Sequence, residues 1–178
     1  YIQDTRDFLR HIEGLPWTDE MLLIGLDVTS LYTSIWHDDG IQACKHFLRA
    51  RSLNLYFHTE MVLEMVSYCM QNNFFCFDGT YYKQKQGVAM GTCFAPKLAN
   101  LLMGWWEEVV VGKMEAFNSH VLLWLRYIDD LFIPWEGTEQ LALSFIDTLN
   151  CNGLNLRFTH TISKRELIFL DTKGLITN

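Results

Sequence analysis

The chain has 178 residues, a formal net charge of -7, a hydrophobic fraction of 49% and a charged fraction of 20%. That length can bury a proper core, and no uninterrupted apolar stretch is long enough to span a bilayer. Net acidity counts against a free-standing nucleic-acid binder, which is usually basic, though not against an enzyme whose basic surfaces lie on other segments.

Further limits come from single residue types. The five cysteines (Cys44, Cys69, Cys76, Cys93 and Cys151) are odd in number and form no Cys-x-x-Cys pair. Reduced thiols in an intracellular protein are therefore expected, and neither a disulfide framework nor a zinc site. The six histidines lack metal-ligand spacing. Most of the twelve Phe, seven Tyr and six Trp are expected in the core. No secretory leader is visible and the chain opens without Met, so a piece of something longer is expected.

In chain order, residues 1–15 read as a helix with Ile2, Phe8, Leu9 and Ile12 near one face, ended by Gly14 and Pro16. Met21 to Leu26 is a continuous apolar run and predicts a buried strand that runs directly into Asp27. An acid at the end of a buried strand is costly without a partner that neutralises it. It is also explained by a cap on the following turn through Thr29 or Ser30. Both readings of Asp27 stand at this point.

Asp38 and Asp39 suit the start of a helix running to about Ala50, with Ile41, Cys44 and Leu48 inward. A second helix is predicted from near Thr59, with Val62, Met65, Val66 and Cys69 inward. Residues 73–86 predict a hairpin, because Asp78-Gly79 is a favoured two-residue turn between aromatic strands. Its second strand sets Lys83 and Lys85 beside Tyr81 and Tyr82. That pattern suits a phosphate and a base, and equally a solvated strand edge.

Next, Gln86-Gly87 through Ala95-Pro96 carries glycines that permit close backbone approach to a ligand, without the Gly-Lys-Ser/Thr of a phosphate loop. Pro96 fits a first helical turn, and Leu98, Leu101, Leu102 and Trp105 mark the expected buried face. Two apolar runs, Val121 to Leu125 and Leu131 to Ile133, then bracket Asp129 and Asp130 and predict a hairpin whose turn carries both acids. Thr138 caps a helix through Asn150, with Leu141, Phe145 and Leu149 inward, and residues 155–159 and 166–171 read as closing strands. The expected whole is a single α+β domain over residues 1–178, with an antiparallel sheet and helices packed on one face.

If the strand ending in Asp27 lies beside the Asp129–Asp130 hairpin, three carboxylates crowd one point and repel. Divalent cations remove that penalty, and two Mg²⁺ between carboxylates serve in-line phosphoryl transfer.

At these residues the chain resembles a known family. Leu26-Asp27 through Tyr32, Gln86-Gly87 through Ala95-Pro96, and Tyr127-Ile128-Asp129-Asp130 are similar, in order and spacing, to three successive motifs of reverse transcriptases. The wording of Leu26 to Ile35, Ala89-Met90-Gly91-Thr92, Ala99-Asn100-Leu101 and Arg126 to Asp130 looks most like Penelope-like retroelements, as do Arg157-Phe158-Thr159 and Phe169-Leu170-Asp171. A telomerase-type palm shares these motifs. Trp36, in place of the subgroup's usual Pro, and Cys93-Phe94 and Lys97-Leu98 depart from the pattern.

The resemblance implies a polymerase palm that copies RNA into DNA. Asp27 and Asp129 would ligate two Mg²⁺ ions (or Mn²⁺), with the Val28 carbonyl and with Asp130 as third carboxylate. Tyr32 would be the gate beneath the sugar, and Gln86 and Gly87 would touch the incoming nucleotide and the template base. The partners implied are an RNA template, a DNA primer and deoxynucleoside triphosphates, with no membrane, in an intracellular and nuclear setting. Lys164 is the one candidate proton donor to pyrophosphate, with plain surface charge as its alternative. Fingers, thumb and any nuclease domain would lie outside residues 1–178. A palm that has lost its activity and serves as an RNA-binding scaffold is the alternative function.

Overall fold

A computed structural model describes residues 1–50 and 56–175 of the chain. These residues divide into two compact units. One comprises Tyr1–Thr29, Glu108–Asn152 and Leu156–Asn178; the other comprises Ser30–Glu107 and Gly153–Asn155. Where the sequence suggests one continuous domain, the chain leaves its central strand after Thr29, packs a long excursion upon itself, and returns at Glu108.

The first unit is built on a four-stranded antiparallel sheet. Its strands are β1 (Leu22–Val28), β4 (Leu125–Tyr127), β5 (Asp130–Trp135) and β6 (Phe158–Ser163), in the spatial order β4-β5-β1-β6. β1 is central and nearly all buried, as its apolar run predicts. Side chains alternate between the two sheet faces. One face sends Trp135 against Phe145 of helix α7 (Glu139–Asn150), with ring centroids 5.3 Å apart. The other face carries Leu23 and Phe132 into a cluster with Ile2, Leu125, Leu167 and Phe169.

Phe8, on helix α1 (Thr5–Ile12), keys that second cluster. Its ring stands edge-on to Phe132 at 5.0 Å and lies 4.8 Å from Phe169. Phe169 comes from a small hairpin, β7 (Glu166–Phe169) with β8 (Thr172–Leu175). The expected helix over residues 1–15 is shorter than predicted. Asp4 caps it by accepting from the Asp7 N–H at 2.8 Å, and Ile2 donates its N–H to the Arg126 carbonyl along the β4 edge. Thr138 caps α7 as predicted, accepting from the Leu141 N–H. The buried residues of α7 are Ala142, Phe145, Ile146 and Leu149, with Leu141 exposed.

The strand expected at residues 155–159 begins at Phe158 instead. Asn155 sits at φ 57, outside strand geometry. The Asn150 and Asn152 side chains hold the preceding loop by accepting from the Phe158 and Leu156 N–H groups.

The second unit contains a short helix α2 (Leu31–Ser34), helices α3 (His37–Arg49) and α4 (Tyr56–Gln71), a two-stranded hairpin of β2 (Phe74–Phe77) and β3 (Thr80–Lys83), and helix α5 (Ala95–Val109), which continues two residues past the unit's end. The inward face of α4 is Thr59, Leu63 and Met70, while Met65 and Cys69 are exposed. α4 has too few polar residues for its inward face to be read by spacing alone. For the same reason Trp106, not Trp105, lies on the buried face of α5. A short helix, α6 (Glu115–His120), completes the first unit.

No helix among the described residues is long and apolar enough to cross a membrane. Replacing Phe8 by Ala removes the ring shared by α1, the sheet and the β7–β8 hairpin. Urea unfolding of Phe8→Ala should show a loss of about 3–5 kcal/mol.

Candidate active site

β1 and β5 pair antiparallel in a register that sets Leu26 opposite Leu131 and Asp27 opposite Asp130. β5 is joined to β4 by a two-residue turn, because Tyr127 pairs with Asp130. That turn consists of Ile128 and Asp129, so Asp130 is the first strand residue and not a turn residue as the sequence suggests. Closing so short a loop puts Ile128 at φ 53, where a β-branched residue is an outlier. Such strain persists only where the surroundings impose it.

Two contacts impose it here. The Val28 N–H donates to the Asp129 carbonyl at 3.1 Å, fastening the turn to the end of β1. Arg126, only 2% exposed, donates from Nη1 to the Ile128 carbonyl at 3.1 Å. The sequence showed Arg126 inside an apolar run, which signals a buried charge, but gave it no role.

Asp27 is exposed, while Asp129 and Asp130 are half-buried. Burial raises the Asp129 carboxyl above the ordinary carboxylate range; its own N–H opposes this, and the Asp27 charge adds to it. Burial likewise raises Asp130, followed by repulsion from Asp129 and then from Asp27. The three carboxylates therefore feel one another across one end of one sheet. The Thr29 N–H donates to the Arg157 carbonyl at 2.8 Å, so it is engaged in the strand pairing and does not donate to an Asp27 cap.

Beside Asp27 and Asp130 opens a cleft of about 140 Å³, also lined by Thr159, His160, Ile168 and Phe169. Thr159 lies opposite Asp27 and donates its hydroxyl to the Asp27 carbonyl at 3.4 Å. Lys164 does not come near this end. It follows Ser163, which pairs with Leu23, four residues along β1 from Asp27. Its position suits the plain surface-charge reading.

Among the described residues, no group of three His, Cys, Asp or Glu side chains is gathered as a ready metal cage. The donors are nonetheless right in kind for a hard divalent cation: three carboxylates and the Val28 carbonyl at one strand end, all oxygen. Their mutual repulsion is what a cation relieves.

Tyr32, Gln86 and Gly87 belong to the other unit, where they are linked to one another. The Gly87 N–H donates to the Ile35 carbonyl at 2.9 Å and the Val88 N–H to the Tyr32 carbonyl at 2.7 Å. His37 Nε2 lies 3.2 Å from the Gly87 carbonyl, and the Gln86 amide donates to the Ser34 carbonyl at 3.3 Å. Gly87 has φ 85, and a Cβ there would stand 2.8 Å from Thr33 Cα and 2.9 Å from the Tyr32 carbonyl oxygen. The glycine is thus required by the approach of the α2 backbone.

No protein-family model matches the chain. By fold it is similar to telomerase from Candida albicans, solved with a TWJ fragment of telomeric RNA. The TM-score is 0.73 at 10% identity, covering 98% of this chain and 34% of that one. The RNA-dependent RNA polymerase of a human picobirnavirus is similar too, with TM-score 0.59 and 10% identity, covering 90% of this chain and 30% of that one. The chain therefore has the α+β palm-type fold of nucleic-acid polymerases. In sequence, it is 30% identical over 99 residues to the telomerase reverse transcriptase of Euplotes aediculatus. That match covers 53% of this chain and 10% of the relative.

Both raised carboxyls bind protons more tightly in the folded chain than in the unfolded one. The folded state therefore gains stability as pH falls through their raised values, and their charges cost stability at neutral pH. Asp130→Asn should raise the melting temperature at neutral pH and shrink the gain on acidification. A lower melting temperature at neutral pH with an unchanged acid response would contradict this account. Gly87→Ala should destabilise the second unit by about 1–3 kcal/mol in a thermal melt, from backbone strain alone.

Proposed function

We propose that this chain is a reverse transcriptase palm that extends a primer 3′-hydroxyl on an RNA template. The observation that carries the reading is the pairing of Asp27 with Asp130, with Asp129 in the adjoining turn. The palm-type fold and the sequence likeness to a telomerase reverse transcriptase support it. The chain spans only 10% of that relative and about a third of the solved polymerase chains, so whole-protein activity is part of the proposal.

Asp27, Asp129, Asp130 and the Val28 carbonyl would hold two Mg²⁺ ions, with Mn²⁺ a substitute. The metal, when bound, supplies activation of the primer hydroxyl and neutralises charge on the departing pyrophosphate. The chain's own part is positional. The paired strands fix the Asp27 and Asp130 backbones, while Arg126 and the Val28 N–H hold the turn that carries Asp129. Tyr32 would lie beneath the sugar of the incoming deoxynucleoside triphosphate. The Gln86–Gly87 backbone, held rigidly on α2, would meet that nucleotide and the template base. Within this class, the motif wording supports a Penelope-like retroelement enzyme acting in the nucleus, with a DNA primer.

Primer extension on an RNA template, run with the full natural protein, tests this reading. Asp129→Asn should lower Mg²⁺-dependent extension by about three orders of magnitude, as expected for loss of several kcal/mol of transition-state stabilisation. Equal extension by the variant would refute the assignment. Extension by neither protein, with Mn²⁺ still bound through Asp27, would favour a palm retained as an RNA-binding scaffold.

A further inference from the structure

The β2–β3 hairpin is exposed on both faces along its whole length. It holds Phe74, Phe75, Phe77, Tyr81 and Tyr82, of which Phe77 is 70% and Tyr81 79% exposed. Five large aromatic side chains on one short ribbon are not core, contrary to what composition suggests, and so large an exposed apolar patch marks an interaction site. The ribbon is also well fastened. Asp78 at φ 49 and Gly79 at φ 71 close it in a two-residue turn with both residues left-handed. At its base the Gln84 N–H donates to the Asn73 carbonyl at 2.9 Å, the Asn73 and Gln84 side chains bond to each other, and the Gln84 amide donates to the Gln86 carbonyl. A two-stranded hairpin is marginal alone; here its root is tied down and its aromatic length projects.

Two features say what it binds. Phe75 and Tyr82 are a cross-strand pair already stacked, with ring centroids 5.5 Å apart and planes 20° from parallel. Their rings form a flat, preorganised platform. On the opposite face Lys83 reaches over the Phe74 ring at 5.9 Å, and Lys85 follows it, exposed. Two lysines face a single acid, Asp78 in the turn, so this ribbon is net positive in a chain of net charge -7. Protein-binding surfaces also favour aromatics, but they are depleted in Lys. Aromatic platforms interleaved with cations are the chemistry of single-stranded nucleic acid, in which bases stack and phosphates pair.

We propose that the β2–β3 hairpin is a binding surface for single-stranded nucleic acid, separate from the carboxylate site. Stacking on Phe75 and Tyr82 supplies most of the affinity, and Lys83 and Lys85 contact phosphates. Neither interaction reads the 2′-hydroxyl, so RNA and DNA strands bind alike.

The test is fluorescence anisotropy of a labelled oligouridylate and a matched oligothymidylate with the 178-residue chain, in EDTA so that no metal site contributes. The variants are Phe75→Ala/Tyr82→Ala and Lys83→Ala/Lys85→Ala, all at exposed positions, with circular dichroism melts to verify folding. The wild type should bind both strands, with log affinity falling against log salt at a slope of roughly -1.4 for two phosphate contacts. The aromatic pair should weaken binding about tenfold or more without changing the slope. The lysine pair should flatten the slope. Absence of wild-type binding, or binding that neither pair alters, overturns the proposal. So does a wild-type dimer in sedimentation that the aromatic pair dissolves while oligonucleotide binding persists, because the ribbon would then be a contact between copies. Each of these outcomes is independent of whether the carboxylates support primer extension.

Discussion

The antiparallel pairing of β1 with β5 is the constraint on which the rest of the site depends. It places Asp27 across from Asp130 and seats the Val28 N–H on the Asp129 carbonyl. A slip of one residue would turn Asp27 to the other sheet face and Leu26 out to solvent. The slip is prevented well away from the acids, by Leu23 and Phe132 on the face packed by Phe8, and by Trp135 on the face packed by α7. Apolar packing at one end of the sheet thus fixes where charge stands at the other end.

That charge is held against its own preference. Asp129 and Asp130 lose solvation and repel, and Ile128 occupies a left-handed conformation that suits glycine. A buried guanidinium on the Ile128 carbonyl and a strand N–H on the next carbonyl over-determine the turn. Strain and like-charge crowding on a rigid support are what a site prepared for a cationic partner looks like before that partner arrives.

The second unit uses a different device. Its Gln86–Gly87 loop is rigid because backbone meets backbone, with Gly87 and Val88 donating to carbonyls of Ile35 and Tyr32. The adjoining ribbon is rigid at its root and exposed along its length. Both lie close in sequence, so one stretch from Asn73 to Val88 carries an aromatic surface and a tight loop.

Much of this was legible in the chain itself. The apolar run into Asp27, the Asp78-Gly79 turn and the Thr138 cap each rest on local chemistry, and each forms where that chemistry predicts. Helix faces were less legible: Met65, Cys69, Trp105 and Leu141 fit an inward stripe by spacing, yet the inward sides of those helices are set by what packs on them. The exposure of the hairpin aromatics was hidden for the same reason, since hydrophobicity says that a ring prefers burial and not whether a neighbour exists to bury it. Three acids at two distant places could be read from the sequence alone. Their pairing across a strand register, the buried Arg126 that holds their turn, and the separation of Lys164 from them were decided by tertiary structure, because only long-range packing selects one register among those that local preferences allow.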